Sequence, residues 1–459
     1  MASLYRQIKG SVKAVIALTI MGSGYLSSVL LSSTIIRALL AYALLLPYLL
    51  KLAYKTLPTI LWNAPKLVTP NTLVRDTEQY RKRADAVAQA QLEGKHRFAR
   101  DEVLRTERNG KGWMANMPWQ DHTGEFTVCG ATVRYVHLKP SYRSVAQDVK
   151  TTHRPIVFLH GNPSWSFMWR DVFPALLERG HEVYAVDWLG HGRSDKILRP
   201  EAITIELHTR TLMQFFEHTG VEDATLVAHD WGGCVAACTM PLLPKSRCTS
   251  LLLLDSFLPP RPSETSLHNS LPYAIWAMTT EILGGCTPES AVMRFLSPNI
   301  SQKDLEGYTA PYQQLPGSAK SSIYRFSHMA PVVPRIILNC MRQTWLWKLA
   351  EGLAGPSHFD NLNAQARLAV RDGEIRSFWK SSAKAQQLDL AVVFGDMDPF
   401  LKDSKDVLVR SVNPRLMANW APYGVWLDGA GHYPTEEKPA VVGDLVARLA
   451  RQRHTPAGG

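Results

Sequence analysis

The sequence predicts an α/β fold in which helices cover a mostly parallel β-sheet. Of its 459 residues, 46% are hydrophobic and 20% are charged, proportions typical of a folded globular protein. Short apolar runs of strand length alternate with amphipathic segments such as residues 207–219, and this alternation is typical of parallel sheets. The strand-like runs lie at residues 156–159, 182–186, 224–228, 250–254, 388–394 and 425–427.

Residues 1–75 are predicted to form a hydrophobic region that anchors the protein to a membrane. They contain eight basic residues and no acidic one, and residues 14–36 are uncharged throughout. At ~1.5 Å per residue, a helix over that stretch is long enough to cross a hydrocarbon core of ~30 Å. An interfacial helix pair, an organelle-targeting peptide and a buried helix are the alternatives. We therefore expect a membrane-associated protein, with organelle targeting as a second possibility.

The formal charge of +11 belongs mainly to that N-terminal region. The rest of the chain carries 43 basic and 40 acidic residues, without a basic stripe interleaved with aromatic residues. Nucleic acid is therefore not an expected partner. The six cysteines form no CxxC pair and no Cys/His cluster with zinc spacing, so we predict no disulfide framework, no metal site and no cofactor.

Residues 76–124 are rich in charge and are predicted to be a solvated helical spacer. The catalytic body is expected to begin at residue 125, with a hairpin of residues 126–130 and 131–138. Its first part is predicted over 125–258 and its second over 388–453, with a frayed tail at 454–459. Residues 259–387 interrupt the strand–helix rhythm. An insertion there would form a helical lid over the strand ends, where open α/β sheets bind ligands.

Asp230 is the candidate nucleophile. It stands between an apolar run and Gly232-Gly233, where a reactive side chain would sit on a sharp strand-to-helix turn. A carboxylate in that position can attack a saturated carbon and form an ester, which water must then hydrolyse. The alternative is that Asp230 only caps the following helix, a common role for Asp.

Residues elsewhere supply the partners that this chemistry needs. His432 follows the last strand-like run and is the candidate base for the hydrolytic water. The backbone N–H groups of Asn162 and Trp231 are candidates to stabilise an oxyanion. Either Asp398 or Asp255 could orient the imidazole, because each follows a predicted strand.

Four motifs in this order resemble the haloalkane dehalogenases of the α/β-hydrolase superfamily, in the aspartate-nucleophile branch shared with epoxide hydrolases. They are HGNPSWSFMWR at 160–170, DWLGHGRSDK at 187–196, VAHDWGG at 227–233 and GAGHYP at 429–434. The resemblance extends from about Phe126 to Leu449. It implies an α/β-hydrolase fold and a small hydrophobic organic substrate that reacts with water.

The resemblance also implies that Asn162 and Trp231 hold a departing halide, since one dehalogenase subgroup uses the matching residues. Epoxide hydrolases typically carry an aromatic residue in place of Asn162 and use lid tyrosines to protonate the epoxide oxygen. Tyr308 and Tyr312, which we expect to contact substrate, and Tyr324 could do this, so an epoxide hydrolase is an alternative. A relative with other chemistry, similar to coelenterazine luciferases, and a non-catalytic binding protein are further alternatives. The acid also stays open, because dehalogenases place it either as Asp255 or as Asp398.

Overall fold

The computed structural model describes residues 83, 85–106, 112–140, 153–258, 280, 285, 287–313, 315–329, 373–382, 385, 387–401, 405, 408 and 426–451. The predicted anchor at 1–75 and the tail at 454–459 lie outside these residues. No helix among the described residues has both the length and the apolar character to cross a membrane. The membrane anchor therefore stays a prediction.

The strands and helices follow the predicted alternation. The strands are β1 (Val103–Leu104), β2 (Thr123–Val128), β3 (Ala131–Leu138), β4 (Ile156–Leu159), β5 (Val183–Asp187), β6 (Lys196–Ile197), β7 (Ala224–Asp230), β8 (Cys248–Ser256), β9 (Asp389–Gly395) and β10 (Trp426–Leu427). The helices are α1 (Phe173–Glu178), α2 (Ile205–Thr219), α3 (Trp231–Thr239), α4 (Glu289–Leu296), α5 (Gln302–Thr309), α6 (Ser321–Arg325), α7 (Pro434–Glu437) and α8 (Pro439–Ala450). Residues 85–92 and 373–381 are also helical.

Eight of the described strands form one sheet in the order β10-β9-β8-β7-β4-β5-β3-β2. The strands from β10 to β5 are parallel to their neighbours, whereas β3 is antiparallel to both β5 and β2. The prediction of a mostly parallel sheet is therefore confirmed. Parallel strands end at the same edge, so the loops that follow β4, β7, β9 and β10 meet there.

The sheet is buried on both faces, which explains why its central strands have continuous apolar runs. All seven residues of β7 are buried. Successive side chains point to opposite faces, so Leu226 packs with helices α2 and α3, and Val227 packs with α1 and α8. This two-sided packing holds the ends of the strands, and the residues that follow them, in fixed positions.

The predicted hairpin at the start of the body is confirmed with a longer first strand. Strands β2 and β3 are joined by Cys129 and Gly130, whose φ angles are 51° and 82°. Positive φ at both central residues is the geometry of the tight turns that match the twist of a two-stranded ribbon. The hairpin begins at Thr123, three residues before the predicted apolar run.

The described part of the predicted spacer at 76–124 contacts the body, while many of its residues are exposed. Strand β1 pairs antiparallel with β6, and the backbone N–H of Phe98 donates to the carbonyl of Cys129. Arg105 and the N–H of Thr106 both bind the buried carboxylate of Asp195. Some polar side chains of this segment thus bond to the body, and the boundary at residue 125 stays a prediction.

Within the predicted lid, the described residues are mostly helical, as expected. Helix α6 is attached to the core by Ser322, whose hydroxyl donates to the carbonyl of Leu189 at 3.2 Å. Near α5, the indole N–H of Trp165 donates to the carbonyl of Gly307 at 3.2 Å. These bonds hold the described lid helices against the loops at the carboxyl edge of the sheet.

We predict that Gln91→Ala destabilises the protein by about 1–3 kcal/mol, because it leaves buried polar partners unsatisfied. The amide of Gln91 donates to Ala202, and its oxygen accepts from Thr204. The Thr204 hydroxyl also caps α2 by accepting from the N–H of Leu207. Gln89→Ala is the matched control, because Gln89 is exposed on the same helical segment. Chemical denaturation measures both, and equal stability of the two variants would contradict the packed position of this segment.

Candidate active site

Asp230 lies at the junction of β7 and α3 with φ +50° and ψ −120°. The residues around this turn pack so closely that positions 161 and 232 must be glycine. A Cβ on Gly161 would come within 2.4 Å of Asp230 Oδ2, and one on Gly232 would come within 2.5 Å of the Leu159 carbonyl oxygen. The sequence therefore builds a tight elbow that raises the Asp230 carboxylate above the strand end.

The Asp230 carboxylate is buried but hydrogen-bonded. Its Oδ2 accepts the backbone N–H of Asn162 at 3.0 Å, and the N–H of Trp231 also donates to the carboxylate. Burial raises the pKa of Asp230, while the nearby His432 and these two N–H groups oppose that shift. In the described helix α3, the Asp230 side chain accepts no hydrogen bond from the second or third residue, where a helix cap would bond. The geometry thus favours the nucleophile over the helix-cap alternative.

His432 is paired with Asp398. Its Nδ1 lies 2.8 Å from Asp398 Oδ2, and the other carboxylate oxygen accepts the N–H groups of Phe400 and Leu401. Burial alone would lower the pKa of His432, but the charges of Asp398 and Asp230 raise it above its ordinary value. Burial would raise the pKa of Asp398, but His432 and the hydrogen bonds hold it below its usual range. This is the arrangement of a base with an orienting acid.

Asp255, the other candidate acid, does not contact the imidazole through a hydrogen bond in the described site. Its Oδ1 accepts the N–H of Gly395 at 2.8 Å, next to the strand end that leads to Asp398. Burial, followed by the negative charge of Asp398, raises the pKa of Asp255 well above its usual range. Burial and the Asp398 charge therefore favour the protonated form of Asp255.

His229 is a site residue that sequence reasoning missed as a functional group. Its Nε2 bonds the backbone carbonyl of His432 at 2.7 Å, which ties the nucleophile strand to the loop that carries the base. Burial lowers the pKa of His229 to about 3, so the ring is neutral and donates through Nε2. Its position immediately before Asp230 was the available signal, although nothing in the sequence indicates a contact 203 residues away.

Asn162 and Trp231 both lie beside the nucleophile. The Asn162 carboxamide donates from Nδ2 to the carbonyl of Ile323 in lid helix α6 at 2.9 Å, and its Oδ1 lies 3.1 Å from His191 Nε2. The Trp231 indole packs edge-on against Phe257 and Phe326, with ring centroids 4.9 Å and 5.9 Å away. The predicted anion-binding pair is thus held between core and lid.

The two lid tyrosines are buried in other contacts. The hydroxyl of Tyr308 donates to Glu436 at 2.6 Å, and Arg170 binds the same carboxylate with two hydrogen bonds of 2.7 Å. The Tyr312 ring lies under the ammonium group of Lys196, 5.8 Å from its centroid. The structure therefore places the Tyr308 hydroxyl on a buried ion pair and not on the Asp230 carboxylate.

Together these residues can perform covalent catalysis in two steps. Asp230 supplies a nucleophile, His432 with Asp398 supplies a base, and two backbone N–H groups point at the carboxylate that would carry an oxyanion. Within the described ranges, no group of three or more His, Cys, Asp or Glu residues is arranged to hold a metal ion.

Similarity to known proteins agrees with this geometry. A family model described as alpha/beta hydrolase fold matches residues 154–277. Haloalkane dehalogenase 1 of Mycobacterium tuberculosis is 36% identical over 122 residues, which are 27% of this chain and 39% of that protein. The haloalkane dehalogenase of Mycolicibacterium paratuberculosis is 30% identical over 196 residues, 42% of this chain and 62% of the relative. The matches thus span less than two thirds of these relatives.

Two further similarities cover more of this chain. Bifunctional epoxide hydrolase 2 of Mus musculus is 21% identical over 333 residues, 68% of this chain and 54% of that protein. The solved structure of haloalkane dehalogenase DpaA from Paraglaciecola agarilytica NO2 has a TM-score of 0.53 and 19% identity. The match covers 76% of this chain and 97% of the DpaA chain. This structural similarity shows the fold that the two chains share.

Substitution of the two candidate acids should affect the pKa of His432 differently. Asp398→Asn removes the charge that stabilises the imidazolium, so we expect the pKa of His432 to fall. Asp255→Asn changes a side chain that makes no hydrogen bond to the imidazole and whose protonated form burial already favours, so we expect little change. A histidine NMR titration of both variants measures these shifts. A larger fall in Asp255→Asn than in Asp398→Asn would contradict the assignment of Asp398 as the orienting acid.

Proposed function

We propose that this chain, which has the α/β-hydrolase fold, is a hydrolase that cleaves carbon–halogen bonds of small organic molecules through an ester on Asp230. The observation that carries the proposal is the position of the Asp230 carboxylate. It is raised on a tight elbow, accepts the backbone N–H of Asn162 and lies close enough to His432 for the two charges to interact. A serine esterase or peptidase would need a hydroxyl at this position.

In the first step, one Asp230 oxygen attacks the carbon that bears the halogen. A carbon–oxygen bond forms, the carbon–halogen bond breaks, and the halide leaves with the bonding electron pair. Oδ2 is held by the N–H of Asn162, which leaves Oδ1 as the attacking oxygen. The halide is released in a buried site, where N–H donors must replace its water. We assign this role to the indole N–H of Trp231 and to the Nδ2 hydrogen of Asn162 that Ile323 does not take.

In the second step, water hydrolyses the ester with His432 as the base. Nε2 takes a proton from water, and the hydroxyl attacks the ester carbonyl. The bond between that carbon and the alkyl oxygen then breaks, and the oxygen takes the proton of the new hydroxyl and leaves as the alcohol, so that Asp230 regains its charge. The imidazolium releases its proton to solvent. The N–H groups of Asn162 and Trp231 stabilise the oxyanion, and Asp398 stabilises the imidazolium. Alkylation removes the Asp230 charge, one of the charges that raise the pKa of His432. The imidazole therefore loses basicity, and holds its proton less tightly, at the stage where it must begin neutral.

Epoxide hydrolysis by the same Asp and His is the alternative, and one relative is named for it. That reaction needs an acid to protonate the alkoxide oxygen as the ring opens. The Tyr308 hydroxyl donates to Glu436, which lies in an ion pair with Arg170, so this tyrosine would have to leave a charged partner to serve. An amide at Asn162 suits a halide, which must be held but not protonated. Both observations favour carbon–halogen cleavage.

We predict that His432→Phe traps the ester. With 1-bromohexane, the variant should release about one bromide per protein and then stop, because the intermediate has no base to activate water. Mass spectrometry should find one hexyl group on the peptide that contains Asp230.

Asp230→Ala is the matched control, and it should release no bromide and gain no mass. The wild-type protein should release bromide continuously and form 1-hexanol. Diol formation from 1,2-epoxyhexane without any bromide release from 1-bromohexane would replace the proposal by the epoxide alternative.

A further inference from the structure

The Asn162 carboxamide has two different ends, and its neighbours determine which end faces the site. The C=O end only accepts hydrogen bonds, and the NH₂ end only donates them. Oδ1 lies 3.1 Å from Nε2 of His191, while Nδ2 donates to the carbonyl oxygen of Ile323 at 2.9 Å. Only donors can hold an anion, so the orientation of this amide decides whether Asn162 attracts or repels a halide.

The His191 ring is a neutral donor at this contact. It is fully buried, and burial lowers its pKa well below the ordinary value, with smaller effects in the same direction from His160 and His208 and an opposing effect of the Leu189 carbonyl. The Ile323 carbonyl accepts from Nδ2, so a rotated carboxamide would place its oxygen against another acceptor, and two acceptors repel. This orientation puts Oδ1 3.1 Å from Nε2 of His191, and the single N–H of the neutral ring can lie on Nε2 because Nδ1 makes no hydrogen bond among the described residues. Ile323 therefore sets the orientation of the amide, and the N–H of His191 stabilises it.

The loop that carries His191 is held firmly. Three backbone hydrogen bonds brace it. The N–H of His191 donates to the carbonyl of Trp188, that of Gly190 to the carbonyl of Asp195, and that of Ser194 to the carbonyl of His191. The imidazole also packs edge-on against Phe326 at 4.6 Å between centroids. The ring is thus fixed before any substrate arrives, as a group that orients another side chain must be.

We propose that His191 is a positioning residue that fixes the Asn162 carboxamide with its free N–H toward the departing anion. This inference rests on the proposed function, and it adds a residue that does not touch substrate. His191 acts on the anion only through Asn162. Its removal should therefore weaken halide binding and the alkylation step, and it should leave ester hydrolysis unchanged. Hydrolysis uses the backbone N–H of Asn162 and the His432–Asp398 pair.

The test compares a variant that loses the hydrogen bond between His191 and Asn162, a variant that keeps it, and a control variant at a histidine that does not make it. His191→Leu removes the donor, and His191→Gln keeps an N–H that can reach the same oxygen. His208→Leu is the matched control, because His208 is also a buried neutral histidine that packs against Phe326, at 4.7 Å. Sodium bromide titration, followed by tryptophan fluorescence, measures anion binding without any turnover. Single-turnover bromide release from 1-bromohexane and the later decay of the ester separate the two steps.

We expect His191→Leu to weaken bromide binding about tenfold and to slow alkylation by a similar factor, the size of effect that loss of one well-placed hydrogen bond produces. The ester should decay within twofold of the wild-type rate. His191→Gln should recover most of the affinity, and His208→Leu should bind bromide like the wild type. If His191→Leu fails to fold, His191→Met serves as the second variant without a donor.

Two results would overturn the inference alone, in a protein that releases bromide from 1-bromohexane. One is unchanged bromide affinity in His191→Leu, and the other is an equal loss in His208→Leu, which would indicate a packing role. A wild-type protein that neither binds bromide nor releases it from 1-bromohexane would instead overturn the proposed function, and the inference with it.

Discussion

The strained backbone of Asp230 is the constraint on which the rest of the site depends. A non-glycine residue with positive φ costs about 1–3 kcal/mol in general and persists only where its surroundings enforce it. Here the Ser256 hydroxyl donates to the Asp230 carbonyl at 2.8 Å, and the Asn162 N–H holds the carboxylate. Gly161 and Gly232 allow the neighbouring backbone to approach. The strain therefore places one carboxylate above the sheet edge, where parallel strands bring the other site residues.

The buried ionisable groups around that carboxylate interact so that each charge is stabilised by the others or by hydrogen bonds. Asp398 and Asp230 both lie close enough to His432 for their charges to stabilise a protonated imidazole. Burial and the charge of Asp398 favour the protonated form of Asp255, which opposes a third negative charge. An isolated buried charge is costly, whereas this set has hydrogen-bonded partners for each ionised group. Conversion of Asp230 to an ester removes one of the negative charges that raise the pKa of His432. The pKa of the imidazole therefore falls after the first step, and the ring is neutral when it must act as the base in the second step.

Local sequence pattern was sufficient to predict the main strands of the sheet and the positions of Asp230 and His432, because these depend on apolar runs and on glycines next to turns. The acid could not be assigned, since Asp255 and Asp398 both follow strands and differ only in which one reaches the imidazole in space. The bond of the Tyr308 hydroxyl to Glu436 was not predicted, because the two residues are 128 positions apart in the chain. Gln91 was assigned to a solvated spacer, because no local pattern indicates that a polar side chain bonds to a distant helix start. The choice of acid, the partner of Tyr308 and the contacts of Gln91 all depend on residues that are far apart in the sequence.

In the proposed mechanism, a carboxylate oxygen of Asp230 becomes part of the alcohol product. A single turnover with excess protein in water enriched in oxygen-18, with 1-bromohexane as substrate, follows that oxygen. We expect the first alcohol formed to carry ordinary oxygen from Asp230, and the label then to enter the Asp230 carboxylate. Label in the alcohol of the first turnover, with none in Asp230, would show direct attack by water and would rule out the ester on Asp230.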